Sequence, residues 1–230
     1  MACAIRLFER LMINYPRAFD VVVADELYAK SNFFNVILEH KKDVMAVLKD
    51  DRRDILKDVD GFFTGKAPTY VFHHNGTEIK CWDASGFLSW PQVKEPVRVI
   101  RTQETKAPVC RQLDGKLHDQ PVSSWTWVTT LSTLRAPTQT AVAIGHARWN
   151  IDNNGFNESA NHYFSDHVYR PEPTAMLNFW LLCIMAYNFF HCFYLRNLKP
   201  AVRAAFTMLH VSRQVQAELY CCSGLIEQPP

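Results

Sequence analysis

Apolar residues recur along this chain at two periods, and the switches from one period to the other divide it into elements. Residues 2 to 14 set Ile5, Phe8, Leu11 and Met12 on one side of a 3.6-residue repeat, which predicts an amphipathic helix ended by Tyr15 and Pro16. The run Phe19 to Ala24 is apolar apart from Asp20 and has the composition of a strand buried on both faces. A helix over Ser31 to His40 and a short strand within Asp43 to Leu48 follow, and then the charged run KDDRRDILKDVD. Strand, helix and strand in that order imply a parallel pair, with the helix on one face of a sheet.

From Thr69 to about Thr133 the period shortens. TYVFHH, TEIKCWD, PVRVIRTQET and SSWTWVTTL alternate as strands, and Asn75-Gly76 and Asp114-Gly115 are hairpin turn signals. This block reads as an antiparallel β subdomain inserted between strand and helix and standing off the α/β body. Pro137 and Thr138 open a further helix; Pro171 and Pro173 separate it from the apolar stretch Met176 to Leu195. A last helix is expected over about Ala201 to Tyr220, with a loose tail. The pattern divides the chain into an α/β portion (1–66), the β block (67–136), the helices (137–222) and the tail (223–230).

Composition changes this picture little. With 230 residues, 48% of them hydrophobic and 21% charged, the chain can bury a sizeable core, and a formal charge of +2 is too mild to demand a polyanionic partner. Seven scattered cysteines without a CxxC pair do not make a disulfide framework, so reduced thiols and a cytoplasmic location are expected. His73, His74, Cys81 and Cys110 lack the paired spacing of a zinc site, and His162, Asp166 and His167 are more simply read as cap or phosphate contacts than as metal ligands. The stretch Met176 to Leu195 is long enough to cross a bilayer, but it holds Asn178, Asn188 and His191, and a buried helix with no membrane is the expectation.

The chemistry concentrates in Ile144 to Arg170, IGHARWNIDNNGFNESANHYFSDHVYR. On a regular helix Arg148, Asp152 and Ser159 share a face, and Glu158 points away from it. Asp25 follows the first buried strand at its carboxyl end, where catalytic groups collect in open α/β sheets, although an Asp there also caps or turns the chain. Arg98, Arg101, Lys106, Arg111 and Lys116 make the β block locally basic. These are either solvated strand faces or contacts to a phosphate backbone.

VVVADELYAKSNFF, the β block and RWNIDNNGFNES together resemble the catalytic region of the DDE transposases of bacterial insertion sequences, over most of the chain. The resemblance implies an RNase H-like α/β core with an inserted β subdomain. It matches Asp25 to the family's second Asp, and it matches Arg148 and Asp152 to the Arg and Glu of the Tyr-x2-Arg-x3-Glu-x6-Lys signature. Gly145 stands at the Tyr position, Ser159 at the Lys position, and Asp152 shortens the Glu. The family's first Asp has no counterpart, because Asp20 lies on the same strand as Asp25. The resemblance therefore implies a chain lacking the first strands, with an unpaired sheet edge.

In that family, carboxylates hold two divalent ions about 4 Å apart for cutting and joining DNA. By resemblance Asp25 and Asp152 would hold Mg2+ or Mn2+ and Arg148 would assist. Arg98, Arg101, Lys106, Arg111 and Ser159 would contact double-stranded DNA, transposon ends and target alike, from a possible homodimer. With two acids in place of three the chemistry would be poor. The rival expectations are a non-catalytic DNA-binding or dimerising remnant, and a small membrane protein built on 176–195.

Overall fold

The structure is a computed structural model that describes residues 1–49, 54–74, 76–110, 117–118 and 121–222. Arg111, Lys116, the Asp114-Gly115 turn and the tail 223–230 lie outside the described residues. The chain divides into two compact units, 1–148 and 149–230.

The first unit is built on one six-stranded sheet. Helix α1 (Ala2–Asn14) precedes β1 (Val21–Ala24), and α2 (Ser31–Glu39) carries the chain to β2 (Asp43–Val47), which pairs with β1 in parallel. Every residue of β2 is buried. Val44 and Ala46 enter the core beneath the first helices, while Met45 and Val47 enter a second core on the opposite face. This double burial is why the segment reads as a continuous apolar run instead of an alternation.

Helix α3 (Asp54–Phe63) occupies the end of the charged run. Its charges dominate the sequence pattern, yet Ile55, Leu56, Val59 and Phe63 recur at helical spacing and are buried between the exposed acids and Lys57.

Strands β3 (Tyr70–His74), β4 (Thr77–Phe87), β5 (Val97–Lys106) and β8 (Ser123–Thr129) are antiparallel, and the sheet order is β1-β2-β8-β5-β4-β3. The β block is therefore not a body apart. β8 pairs with both β2 and β5, so the block extends the sheet that β1 and β2 begin. The alternation within the block is genuine. What it could not show is that Trp127 and Val128 would pair across to Val47 and Ala46 and fuse the two halves. Gly76 has φ +73, as the two-residue turn joining His74 to Thr77 requires. A separate two-stranded ribbon joins β6 (Val109–Cys110) to β7 (Leu117–His118). Strands β1 and β3 are the two edges of the large sheet.

Helix α4 (Thr138–Ala147) closes the unit by covering the second core, where Ala141 and Val142 meet Trp127, Ile100 and Met45. The second unit is helical among its described residues. A π-helical segment (Ile151–Phe156) leads into α5 (Asn157–Tyr163), then α6 (Pro173–Arg196), α7 (Pro200–Ala205) and α8 (Met208–Cys222). Glu172 caps α6 by accepting from the Thr174 and Ala175 amides, and Pro173 occupies the first helical position. The expected last helix is split at Phe206, whose extended backbone separates α7 from α8.

Candidate active site

Asp25 stands where the sequence placed it, directly after the carboxyl end of β1. Its carboxylate accepts from the Glu26 amide at 2.8 Å and so caps the short 3-10 turn Glu26–Tyr28; half of the side chain remains exposed. The capping role is thus filled, but it does not exhaust the group. The guanidinium of Arg148, itself mostly buried, lies 3.7 Å away, Nη1 to Oδ2. Asp25 and Arg148 are thus neighbours in space, although 123 positions separate them in sequence.

The placement of Arg148 follows from how α4 is seated on the sheet. Gly145 lies against the indole of Trp127 so closely that a Cβ at this position would stand 2.7 Å from a ring carbon, so only glycine lets the helix approach this far. A tyrosine, the residue the signature carries here, has no room. One residue on, His146 Nε2 lies 2.7 Å from Oε1 of Glu104, which also accepts from the Thr102 hydroxyl, and the imidazole stands edge-on to Trp127. Burial pulls the Glu104 carboxyl upward, but the hydrogen bond and charge of His146 with the Thr102 hydroxyl outweigh it and leave the group below its ordinary value. These contacts fix the end of α4, and with it Arg148.

In the second unit the regular helix assumed from sequence does not hold. The π-helical segment Ile151–Phe156 changes the angular spacing of the side chains after it, so the shared face of Asp152 and Ser159 is lost. Asp152 is exposed. Ser159 is 4% exposed, donates to the Phe156 carbonyl and accepts from the Ser165 hydroxyl. Ser159 is a packing residue of the helix and is not available to a DNA backbone. Glu158 turns to His191, whose Nε2 lies 3.3 Å from its carboxylate.

The basic residues of the β block part company. Arg98 is 2% exposed, donates twice to Asp83 at 2.8 and 2.6 Å, and donates further to the carbonyls of Leu131 and Ala136. It belongs to a buried network that Thr138 joins through its hydroxyl on Asp83, so its expected DNA contact is corrected to a structural role. Nothing in the sequence marks this network, because Asp83 is one more polar position in an alternating strand. Arg101 is paired with Asp60 and lies over the Phe63 ring, leaving it partly accessible. Lys106, at the end of β5, is exposed. Arg111 lies outside the described residues.

Among the described residues no three His, Cys, Asp or Glu side chains gather to hold a metal. Cys81 is buried in the second core, and burial, reinforced by Asp83, pushes its thiol up to about 12. No protein-family model matches the chain, and no curated protein is significantly similar to it.

Proposed function

We propose that this chain is catalytic-region material of a DDE-type, RNase H-like transposase that handles double-stranded DNA with Mg2+ or Mn2+. The observation that carries the reading is the meeting of Asp25 and Arg148: an acid at the carboxyl end of a parallel strand and a cation at the end of the helix packed on that strand. Asp152 enters as the second carboxylate through the resemblance alone.

Hard divalent ions favour carboxylate and water oxygens, so Asp25 and Asp152 suit Mg2+ or Mn2+, with DNA phosphate oxygens completing the shell. Arg148 would hold the Asp25 carboxylate in orientation and offset charge on an incoming phosphate. Lys106 and the accessible part of Arg101 remain the candidate backbone contacts. A cytoplasmic location accords with the reading. Two carboxylates in place of three support metal binding better than turnover, which makes a non-catalytic DNA-binding role the second reading.

The deciding measurement is Mn2+ binding followed by electron paramagnetic resonance, with and without duplex DNA, and nicking of supercoiled plasmid in the same buffer. Asp25→Asn and Asp152→Asn should each lower Mn2+ affinity by roughly tenfold or more. Binding of DNA without Mn2+ dependence would support the second reading; Mn2+ affinity unchanged in both variants sinks the metal assignment.

A further inference from the structure

Strand β4 outruns the strand beside it. β3 covers β4 only from Thr77 to Cys81, whereas β5 stays paired with it as far as Phe87. Continuing the β3 register would set Pro68 against Asp83, and proline has no amide to give to a ladder. The chain leaves the sheet at that point. The Asp83 amide donates to the Thr69 hydroxyl at 3.3 Å, and the Trp82 indole donates to the Lys66 carbonyl at 2.9 Å. Among the described residues no strand lies beside Ala84 to Phe87 on that side, and Ser85 and Gly86 are exposed. The large sheet therefore has a step, where the end of an otherwise interior strand becomes an edge.

A cleft flanks this step on each face of the sheet. On the face where Ala84 and Phe87 join the first core, a cleft of about 510 Å³ lies between Ala84–Leu88 and α3, with Phe62 and Leu88 on its walls at 46% and 73% exposure. Phe62, Phe63 and Phe87 pack edge to face beside it. On the α4 face a second cleft, of about 680 Å³, is lined by Tyr70, Ser85, Thr133, Thr138 and Gln139. Ala84 and Ser85 border both clefts. Neither cleft carries a net charge. Lys57 and Asp58 offset one another on the α3 side, and Asp83, the charged residue among those lining the α4 side, is neutralised by Arg98.

We propose that this step docks an extended, uncharged peptide of another protein, which adds as a short strand beside Ala84 to Phe87. A large apolar side chain of the peptide enters the α3 cleft, and its polar neighbour enters the α4 cleft. An edge presents amides and carbonyls that another strand can pair. Successive side chains of a strand point to opposite faces, so two clefts on opposite faces of one segment receive consecutive residues. An aromatic ring in the α3 cleft extends the Phe62, Phe63 and Phe87 cluster. The lysine or proline that commonly guards an edge is missing between Ala84 and Leu88. The lack of net charge in both clefts selects an uncharged partner. A second copy of the chain fits less well, because the same segment would offer only Ala84, Ser85 and Gly86 to clefts of this size. Ser85 and Gly86 bulge opposite a single residue of β5, with Gly86 at φ +90, and the twist this imposes keeps the added strand to about five residues. So small a contact is a transient one. The proposal is independent of the DNA reading.

The probe is a blocked Thr-Phe-Gln-Phe-Thr peptide titrated into the full chain by calorimetry, with hydrogen exchange read by mass spectrometry and sedimentation velocity of the chain alone in parallel. Binding should saturate at high micromolar peptide and slow exchange at Ser85 and Gly86, while β1, at the far edge of the sheet, is unchanged. A strand pairs through alternate amides, so N-methylating the two Phe amides and N-methylating the Gln and last Thr amides should differ. One pattern should weaken binding by roughly tenfold or more and the other by less than about twofold. Ser85→Lys, an exposed change that puts a charge on the edge, should weaken binding by roughly tenfold. If that variant unfolds at a lower temperature than wild type, the two methylation patterns decide. No binding, equal effects of the two patterns, or protection at β1 in place of Ser85 and Gly86 would overturn the proposal. So would a dimer of the chain alone that Ser85→Lys dissociates, since the occupant would then be a second copy.

Discussion

Two residues of the first unit make the sharpest predictions, and both are positions whose identity looks unremarkable in sequence. Arg98 and Asp83 form an ion pair that is only 2% and 4% exposed, completed by Thr138 and two backbone carbonyls. Removing one partner strands a charge away from water, so Arg98→Ala should destabilise the protein by about 3–5 kcal/mol in denaturant titrations, whereas Arg98→Met with Asp83→Leu should cost distinctly less. Equal losses in the single and double variants would show that packing, not the stranded charge, sets the cost. Gly145 poses the opposite question. Alanine should favour the helix by about 1 kcal/mol, but its Cβ would enter the Trp127 indole, which is itself fully buried. Overpacking of this kind costs about 1–3 kcal/mol, and Gly145→Ala should be destabilising on balance, with Trp127 fluorescence altered. A more stable variant would mean that the indole has room to yield.

The seating of α4 on the sheet determines where Arg148 lies. Glu104 on β5 holds His146 on α4, and this contact should leave a signature in acid. The folded Glu104 carboxyl sits below its ordinary value, so the contribution is fully present above the unfolded value of about 4.3 and is lost as pH falls through the folded one. Stability measured from pH 6 down to about pH 3 should therefore fall less steeply in Glu104→Gln than in wild type, while the variant is the less stable of the two at pH 6. Parallel acid limbs would remove Glu104 from the account. At this scale the parallel strands, α1, α2 and α6 were legible from apolar runs and spacing, and the start of α4 from Pro137 and Thr138. Helix α3 was not, because its four buried positions are interleaved with charges, and neither was the π-helical segment, because a widened turn leaves no mark on the period that precedes it.

Both core clusters and all six strands of the large sheet fall within residues 1–148. A chain ending at Arg148 should consequently unfold in one cooperative transition with Trp127 still buried, read by near-ultraviolet circular dichroism and tryptophan fluorescence. A molten 1–148 fragment would show that the helical unit is needed for the sheet to pack.

What the sequence determined by itself was local: the period of most segments, a turn at Gly76, the placement of Asp25 at a strand end and the apolar length of α6. These are properties of a residue and its near neighbours, and torsional preference with side-chain spacing is enough to set them. Which strands lie side by side was decided only by the tertiary structure, since β8 could satisfy its alternation in a separate block or against β2, and the burial of Trp127 between sheet and α4 selected the second. The fate of each polar group was decided there too. Arg98 and Lys106 are both cations on one strand, yet one is buried against Asp83 and the other is exposed, because solvent access depends on what folds over a position and not on the residues beside it.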